Sequence, residues 1–310
     1  YPGNPVVTHK GRDPKVLWYG PGRHWALAVF DQQDKSRGIS FYTSTNLKDW
    51  QFGSRIDGFY ECPEIFELAV DGDRNNRKWV LHAADGDYVI GRFDGKTFTP
   101  ESAKLRWSCG NCFYASQTFN GLPPQDGRRL QIAWGRIPTP GMPFNQCMLF
   151  PCELTLRTTE EGIRMFAAPV REIATLHEQT QRWTDEVLTA DRNPLAGLRG
   201  DLFHIQGQFE IGPADTLQLV IRGVPITYDA TKQELSCQGK TAPLKPVDGT
   251  IRLEVLVDRT SLEIFGNRGR VYMPIGVIPA DDDQSLRLLA EGGSARIHSL
   301  EVHQLRSAWE

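Results

Sequence analysis

Gly11-Arg12-Asp13-Pro14-Lys15-Val16 and Tyr60-Glu61-Cys62-Pro63-Glu64-Ile65-Phe66 are the two stretches that decide the fold. Each sets a carboxylate just ahead of an apolar run that reads as a strand. Each contains a proline, which fixes its own φ and is expected to hold the preceding residue extended. Taken singly, each is an ordinary proline loop between strands. Taken together, they occupy matching places in a repeat, and that changes what they mean.

The repeat shows in the apolar runs. Val16-Leu17-Trp18-Tyr19, His24 to Phe30, Ile39 to Ser44 and Trp50 to Phe52 make a first set of four short strands, with a turn at Pro21-Gly22. Ile65 to Leu68, Lys78 to His82, Tyr88 to Phe93 and a last run closing at Phe98 make a second, with a turn at Asp71-Gly72-Asp73. Phe113 to Phe119, Leu130 to Arg136, Met148 to Phe150 and Leu154 to Leu156 make a third. Asp13 and Glu61 are 48 residues apart, and Glu61 and Tyr114 are 53 apart. Four short strands at a period of about 50 residues is the sequence form of a β-propeller. The first strand of each blade then lines the central channel, so Asp13 and Glu61 are expected to converge there. Propellers close with about four to eight blades, and three leave open sheet edges. Either blades precede Tyr1 or a second chain completes the ring.

Residues 168–182 read as a connection with a short helical turn. From about residue 183 the pattern becomes a cleaner two-residue alternation. It runs through Phe203 to Ile211, Leu217 to Ile221, Ile251 to Val257, Leu262 to Phe265 and Ala295 to Val302. Strands with one buried and one wet face, repeated at short intervals, indicate a β-sandwich. The expected architecture is all-β: about three blades of a propeller over residues 1–170, a linker at 171–182 and a sandwich over 183–310.

Composition narrows the partners. The 310 residues are 40% apolar and 24% charged, with a formal net charge of −3. That balance gives no electrostatic case for nucleic acid or an anionic membrane. No apolar run approaches the ~20 residues of a membrane span. The chain opens on Tyr1 without an initiator Met or a leader, which reads as the loss of an upstream segment. Cys109-Gly110-Asn111-Cys112 with Cys147 and Cys152 has the makings of a four-thiolate zinc site. No histidine or second C-x2-C accompanies it, so the expectation is free, mostly buried thiols and no metal or other cofactor. Asp281-Asp282-Asp283 lacks the ligand pattern of a cation site and is expected to be a solvated loop.

The motifs together resemble glycoside hydrolase family 32, the β-fructosidases. Arg12-Asp13-Pro14 resembles the family's Arg-Asp-Pro motif and Glu61-Cys62-Pro63 its Glu-Cys motif. Tyr114-Ala115-Ser116-Gln117-Thr118-Phe119 resembles its third conserved loop, and Ile132-Ala133-Trp134-Gly135 the tryptophan strand that follows. Pro151 to Leu156 resembles the strand that ends the propeller. Asp258 to Asn267 resembles the signature of the C-terminal sandwich. Each match is weak alone; six in collinear order are specific.

The resemblance implies a five-bladed propeller with a sandwich, and retaining hydrolysis of fructose-containing oligo- or polysaccharides. It implies Glu61 as general acid/base and Asp13 as stabiliser of the oxocarbenium-like state. Arg12, Cys62, Tyr114 and Trp134 are implied as substrate-binding residues. It also implies an extracellular or periplasmic location. The family's nucleophile sits on an Asn-Asp-Pro loop in the first blade, and this chain has none; Asn4-Pro5 lacks the aspartate. Cys112 stands where the family usually has Asp. The nucleophile is therefore expected from an upstream segment or another chain. A non-catalytic fructan-binding protein is the alternative. An arabinan-directed furanosidase is a third, against which the Glu-Cys-Pro loop and the sandwich argue.

Overall fold

The computed structural model describes residues 1–309 other than 34, 124 and 281. Its regular elements are strands apart from one short 3₁₀ turn among the described residues. β1 (Arg12–Tyr19), β2 (His24–Gln33), β3 (Ser36–Ser44) and β4 (Gln51–Asp57) form one antiparallel four-stranded sheet in sequence order. β5 (Glu64–Val70), β6 (Asp73–His82), β7 (Asp87–Phe93) and β8 (Phe98–Pro100) pair in sequence order within a ten-stranded sheet, with the two-residue β9 (Leu105–Arg106) on β7, and β5 joins the rest of that sheet through one parallel pair, Val70 with Leu156. The turn between β5 and β6 puts Asp71 at φ 54° and Gly72 at φ 78°, the backbone a tight hairpin demands. β10 (Phe113–Thr118), β11 (Arg129–Gly135), β13 (Cys152–Thr159) and β14 (Gly162–Pro169) follow, and the two-residue β12 (Cys147–Met148) lies on β11. These are successive propeller blades.

The third blade differs from its sequence reading. Met148 to Phe150 contributes only the short β12, and the third and fourth strands are β13 and β14. β13 was legible through buried Cys152, Leu154 and Leu156. β14 was hidden behind the charged hairpin Glu160-Glu161-Gly162, whose glycine sits at φ 97°. Between the first two blades, Ala26, Ala28, Phe30, Ile39 and Phe41 pack with Phe59, Ile65, Leu81, Val89 and Phe93 into one buried cluster.

Two compact units divide the chain: residues 1–107, 113–133 and 154–165 form one, and residues 108–112, 134–153 and 166–310 the other. In the second, a 3₁₀ turn (Arg171–Leu176) leads into β15 (His177–Leu188). Residues 177–182, read from sequence as connection, are thus the first half of a twelve-residue strand. Then come β16 (Phe203–Glu210), β17 (Thr216–Ile221), β18 (Val224–Asp229), β19 (Glu234–Cys237), β20 (Lys240–Pro243), β21 (Ile251–Asp258), β22 (Ser261–Gly266), β23 (Val271–Gly276), β24 (Leu286–Glu291) and β25 (Ala295–Leu305). They form a six-stranded sheet, β15-β25-β16-β21-β22-β23, and a five-stranded sheet, β20-β19-β18-β17-β24. Phe203, Ile205, Val255 and Ile264 of the first sheet share a core with Leu217, Leu219, Ile226 and Leu288 of the second, so the domain is a β-sandwich.

The six cysteines are free thiols. Among the described residues no group of His, Cys, Asp and Glu is arranged to hold a metal ion, and no helix is long and apolar enough to cross a membrane. Of the acidic run, Asp281 lies outside the described residues. Asp283 accepts from the Ser285 N–H at 2.9 Å and its hydroxyl at 2.6 Å, the bonding of a local turn.

Candidate active site

The first strands of the three blades begin with the same backbone feature. Asp13 has φ 62°, Glu61 φ 49°, Cys62 φ 42° and Ala115 φ 48°. None is glycine, so each holds a left-handed conformation that the surrounding structure must enforce. This corrects the sequence expectation for Asp13 and Cys62. Both precede a proline, yet neither is extended. At Asp13 the change coincides with a register break between Arg12 and Lys15 against β2, a bulge that re-aims side chains. Gly11 allows the approach: a Cβ there would stand 1.9 Å from the Phe30 carbonyl oxygen.

Backbone bonds brace the other two heads. Ala84 donates its N–H to the carbonyls of Tyr60 at 3.2 Å and Glu61 at 3.0 Å, and its own carbonyl accepts the Ala115 N–H at 2.9 Å. The loop after β6 thereby joins the heads of β5 and β10.

Four predicted residues meet around Glu61. Arg12 Nη2 donates to Glu61 Oε1, and the Tyr114 hydroxyl donates to Glu61 Oε2. Arg12 Nε lies 3.7 Å from Asp13 Oδ2, so one guanidinium serves both carboxylates. Asp13 Oδ2 also accepts the Cys62 N–H at 3.2 Å. The Arg12 guanidinium stands over the Phe30 ring at 5.0 Å, and Phe30 meets Tyr60 edge-on at 5.4 Å. The Glu61 side chain is 14% exposed, Asp13 29% and Arg12 54%, so the cluster is set into the surface with its cation outermost. The arrangement offers one carboxylate held by a phenol, a second held by a backbone amide, and a solvent-facing cation between them.

Cys62 joins the cluster through its backbone. Burial first, then the charge of Asp13, pushes its thiol up to about 11, which leaves it a neutral thiol. Trp134 is 38% exposed on β11, opposite Met148 of β12, and belongs to the second compact unit. Glu64, the nearest further carboxylate in sequence, has no solvent exposure and is ion-paired with Lys15 at 2.9 Å. Burial pushes its carboxyl above the ordinary value, against the pull of Lys15 and Thr118. Lys15 and Thr118 went unread as site neighbours in the sequence. Lysine inside an otherwise apolar strand was the available signal.

Two partly exposed carboxylates gathered on one guanidinium are equipment that glycoside chemistry can use. The sequence comparisons narrow that class. The Glycosyl hydrolases family 32 N-terminal domain matches residues 1–169, and the family's C-terminal domain matches residues 172–304. The chain belongs to glycosyl hydrolase family 32. It is similar to a levanase of Bacillus subtilis (strain 168), at 32% identity over 100% of this chain and 53% of the relative. An extracellular exo-inulinase of Aspergillus niger is 26% identical over 96% of this chain and 65% of the relative. The chain thus spans about half to two thirds of the length of these relatives. Its fold matches the crystal structure of exo-inulinase from Aspergillus awamori with a TM-score of 0.86 at 23% identity, over 99% of this chain and 71% of that one. It matches fructofuranosidase from Schwanniomyces occidentalis complexed with fructose with a TM-score of 0.86 at 21% identity, over 99% and 73%.

Proposed function

We propose that the protein hydrolyses β-fructofuranosidic bonds of sucrose or fructans with retention of configuration, outside the cytoplasm. The observation that carries this is the single Arg12 guanidinium shared by Asp13 and Glu61 in a family 32 chain. Glu61 is the general acid/base. It gives its proton to the leaving glycosidic oxygen and later takes one from the attacking water. In the structure both its oxygens accept, which is the base half of that cycle. Loading the proton requires the Arg12 contact to yield, and a side chain 54% exposed does so at little cost. Asp13 stays charged and faces the cation-like sugar ring and its hydroxyls. Tyr114 orients Glu61.

Retention needs a second carboxylate to attack the anomeric carbon and form a fructosyl ester, which water then cleaves. Glu64 is sealed with Lys15 and is unsuited to that part. We assign the nucleophile to an Asn-Asp-Pro loop outside residues 1–310, supplied by an upstream segment or a second chain. Residues 1–310 alone are then expected to bind fructan without turning it over.

The decisive substitution is Glu61→Gln in the complete protein. Fructan turnover should fall by ~10²–10⁴, the usual span of a general acid/base contribution. A fructosyl donor with a good leaving group should be affected less in its first step. Undiminished fructan hydrolysis by the variant in a reducing-sugar assay sinks the assignment. A wild-type protein that binds fructan and never releases fructose favours the non-catalytic alternative.

A further inference from the structure

The inner strands carry a second polar layer beneath the first. Lys15 of β1, Glu64 of β5 and Thr118 of β10 follow Asp13, Glu61 and Tyr114 by two to four residues. All three are buried: Glu64 is 0% exposed, Thr118 6% and Lys15 7%. Lys15 Nζ lies 2.9 Å from Glu64 Oε1 and donates to the Thr118 carbonyl at 3.3 Å and hydroxyl at 3.4 Å. Glu64 Oε2 accepts the Thr118 N–H at 3.1 Å and its hydroxyl at 2.6 Å. The three residues therefore tie three blades together through one ammonium and one carboxylate.

Burying such a pair is a poor way to gain stability, because apolar side chains of similar volume hold strands together at least as well. What this buried network does supply is a restricted geometry, through four hydrogen bonds on Thr118 and the ion pair that meets Glu64 Oε1, an oxygen without a hydrogen bond of its own. The covalent links upward are short and stiff. Only Pro14 separates Lys15 from Asp13, and only Cys62 and Pro63 separate Glu64 from Glu61. Proline fixes φ in each link, so a shift of Lys15 or Glu64 is passed to the carboxylate above it.

We propose that the Lys15–Glu64–Thr118 network is a positioning device that sets the separation of Asp13, Glu61 and Tyr114. Lys15 and Glu64 are positioning residues for the acid/base step, and this rests on the fructosidase reading above. Their role is to hold Glu61 on the glycosidic oxygen, where small displacements are expensive in rate.

The test uses the complete protein and the double variant Lys15→Met/Glu64→Gln. It removes the Lys15 and Glu64 charges together, so neither is left stranded by loss of the other, and Arg129, which also feels Glu64, is kept. The new side-chain amide carbonyl still accepts from Thr118. Three quantities are read: melting temperature, kcat and KM on fructan, and the alkylation rate of Cys62 by iodoacetamide relative to buried Cys237. A near-native melting temperature is expected, with kcat down about 10–100-fold and KM within about twofold, since misplacement by about 1 Å carries that penalty. Cys62, in the link itself, should alkylate faster while Cys237 does not. A folded double variant with wild-type kcat overturns the proposal. If the wild type shows no turnover, the proposed reaction falls separately and Cys62 decides: an unchanged alkylation rate overturns the positioning role, and a faster one supports it.

Discussion

Glu64 of the propeller and Glu263 of the sandwich both have 0% exposure, and their surroundings treat them differently. Glu64 faces an ammonium. Among the described residues Glu263 meets only neutral donors, the Phe150 N–H at 2.7 Å and the Tyr272 hydroxyl at 2.6 Å. Burial pushes the Glu263 carboxyl up to about 7, with those two hydrogen bonds pulling the other way. A carboxylate with a cation beside it is a fixed strut. One with neutral donors alone can take up a proton near neutral pH without losing its place. The propeller thus uses its buried charge for geometry beneath a candidate site, and the sandwich keeps its own negotiable inside a structural sheet.

The hardest blow to that contrast is Lys15→Met alone. It leaves Glu64 buried without its ion-pair partner, with only the more distant charge of Arg129 acting on it, and should cost about 3–5 kcal/mol, measured by urea unfolding at neutral pH. A cost below about 1 kcal/mol, the scale of an exposed pair, would mean that solvent reaches Glu64. Next in size is the pH dependence of Glu263. Its folded value, about 7, lies above the ordinary 4.5, so the folded state binds the proton more tightly. Its contribution is full below pH 4.5 and lost as pH rises to about 7, on the order of 3 kcal/mol in all. Glu263→Gln should flatten the unfolding curve across that window. An unchanged slope there would remove the titration from the comparison.

The smallest effect runs the other way. His303, His177 and His204 cluster on the six-stranded sheet, with His303 stacked on His177 at 3.8 Å and His177 Nε2 3.0 Å from His204 Nδ1. Burial first, then the neighbouring imidazoles, lowers His303 from 6.5 to about 4. The stability this represents is present above pH 6.5 and is lost as pH falls towards 4. Glu301, 41% exposed, lies 3.3 Å from the ring, and water around it trims the effect. His303→Gln should soften the acid limb of the stability profile, opposite in sign to Glu263→Gln. Parallel shifts in the two variants would show that neither group titrates in its own window.

Much of this was legible in sequence because the strands obey period two and the repeat spacing survives. Asp13, Glu61 and Tyr114 announced themselves by position within the blades. The layer beneath did not, since Lys15 and Thr118 are 103 residues apart and Glu64 and Thr118 are 54 apart. No local pattern encodes a contact of that kind. β15 was missed for another reason: it is an edge strand with only Leu188 fully buried, and polar edges of this sort guard against unwanted pairing. The left-handed residues at the strand heads were hidden because the following prolines argued for extended backbone, and tertiary bracing through Ala84 prevailed.

Any mutant library built on this chain meets a filter at positions 13, 61, 62 and 115. With φ between 42° and 62°, a branched β-carbon collides with its own backbone, so valine, isoleucine and threonine are closed there whatever chemistry they would bring. The alphabet is narrowest where a new activity would be sought. Ala115 is the exception worth exploiting. It carries no functional group, and glycine in its place relieves about 1 kcal/mol of local conformational energy, less the extra entropy glycine loses on folding. That margin is what a directed-evolution campaign could use to tolerate a destabilising change at one of the other three.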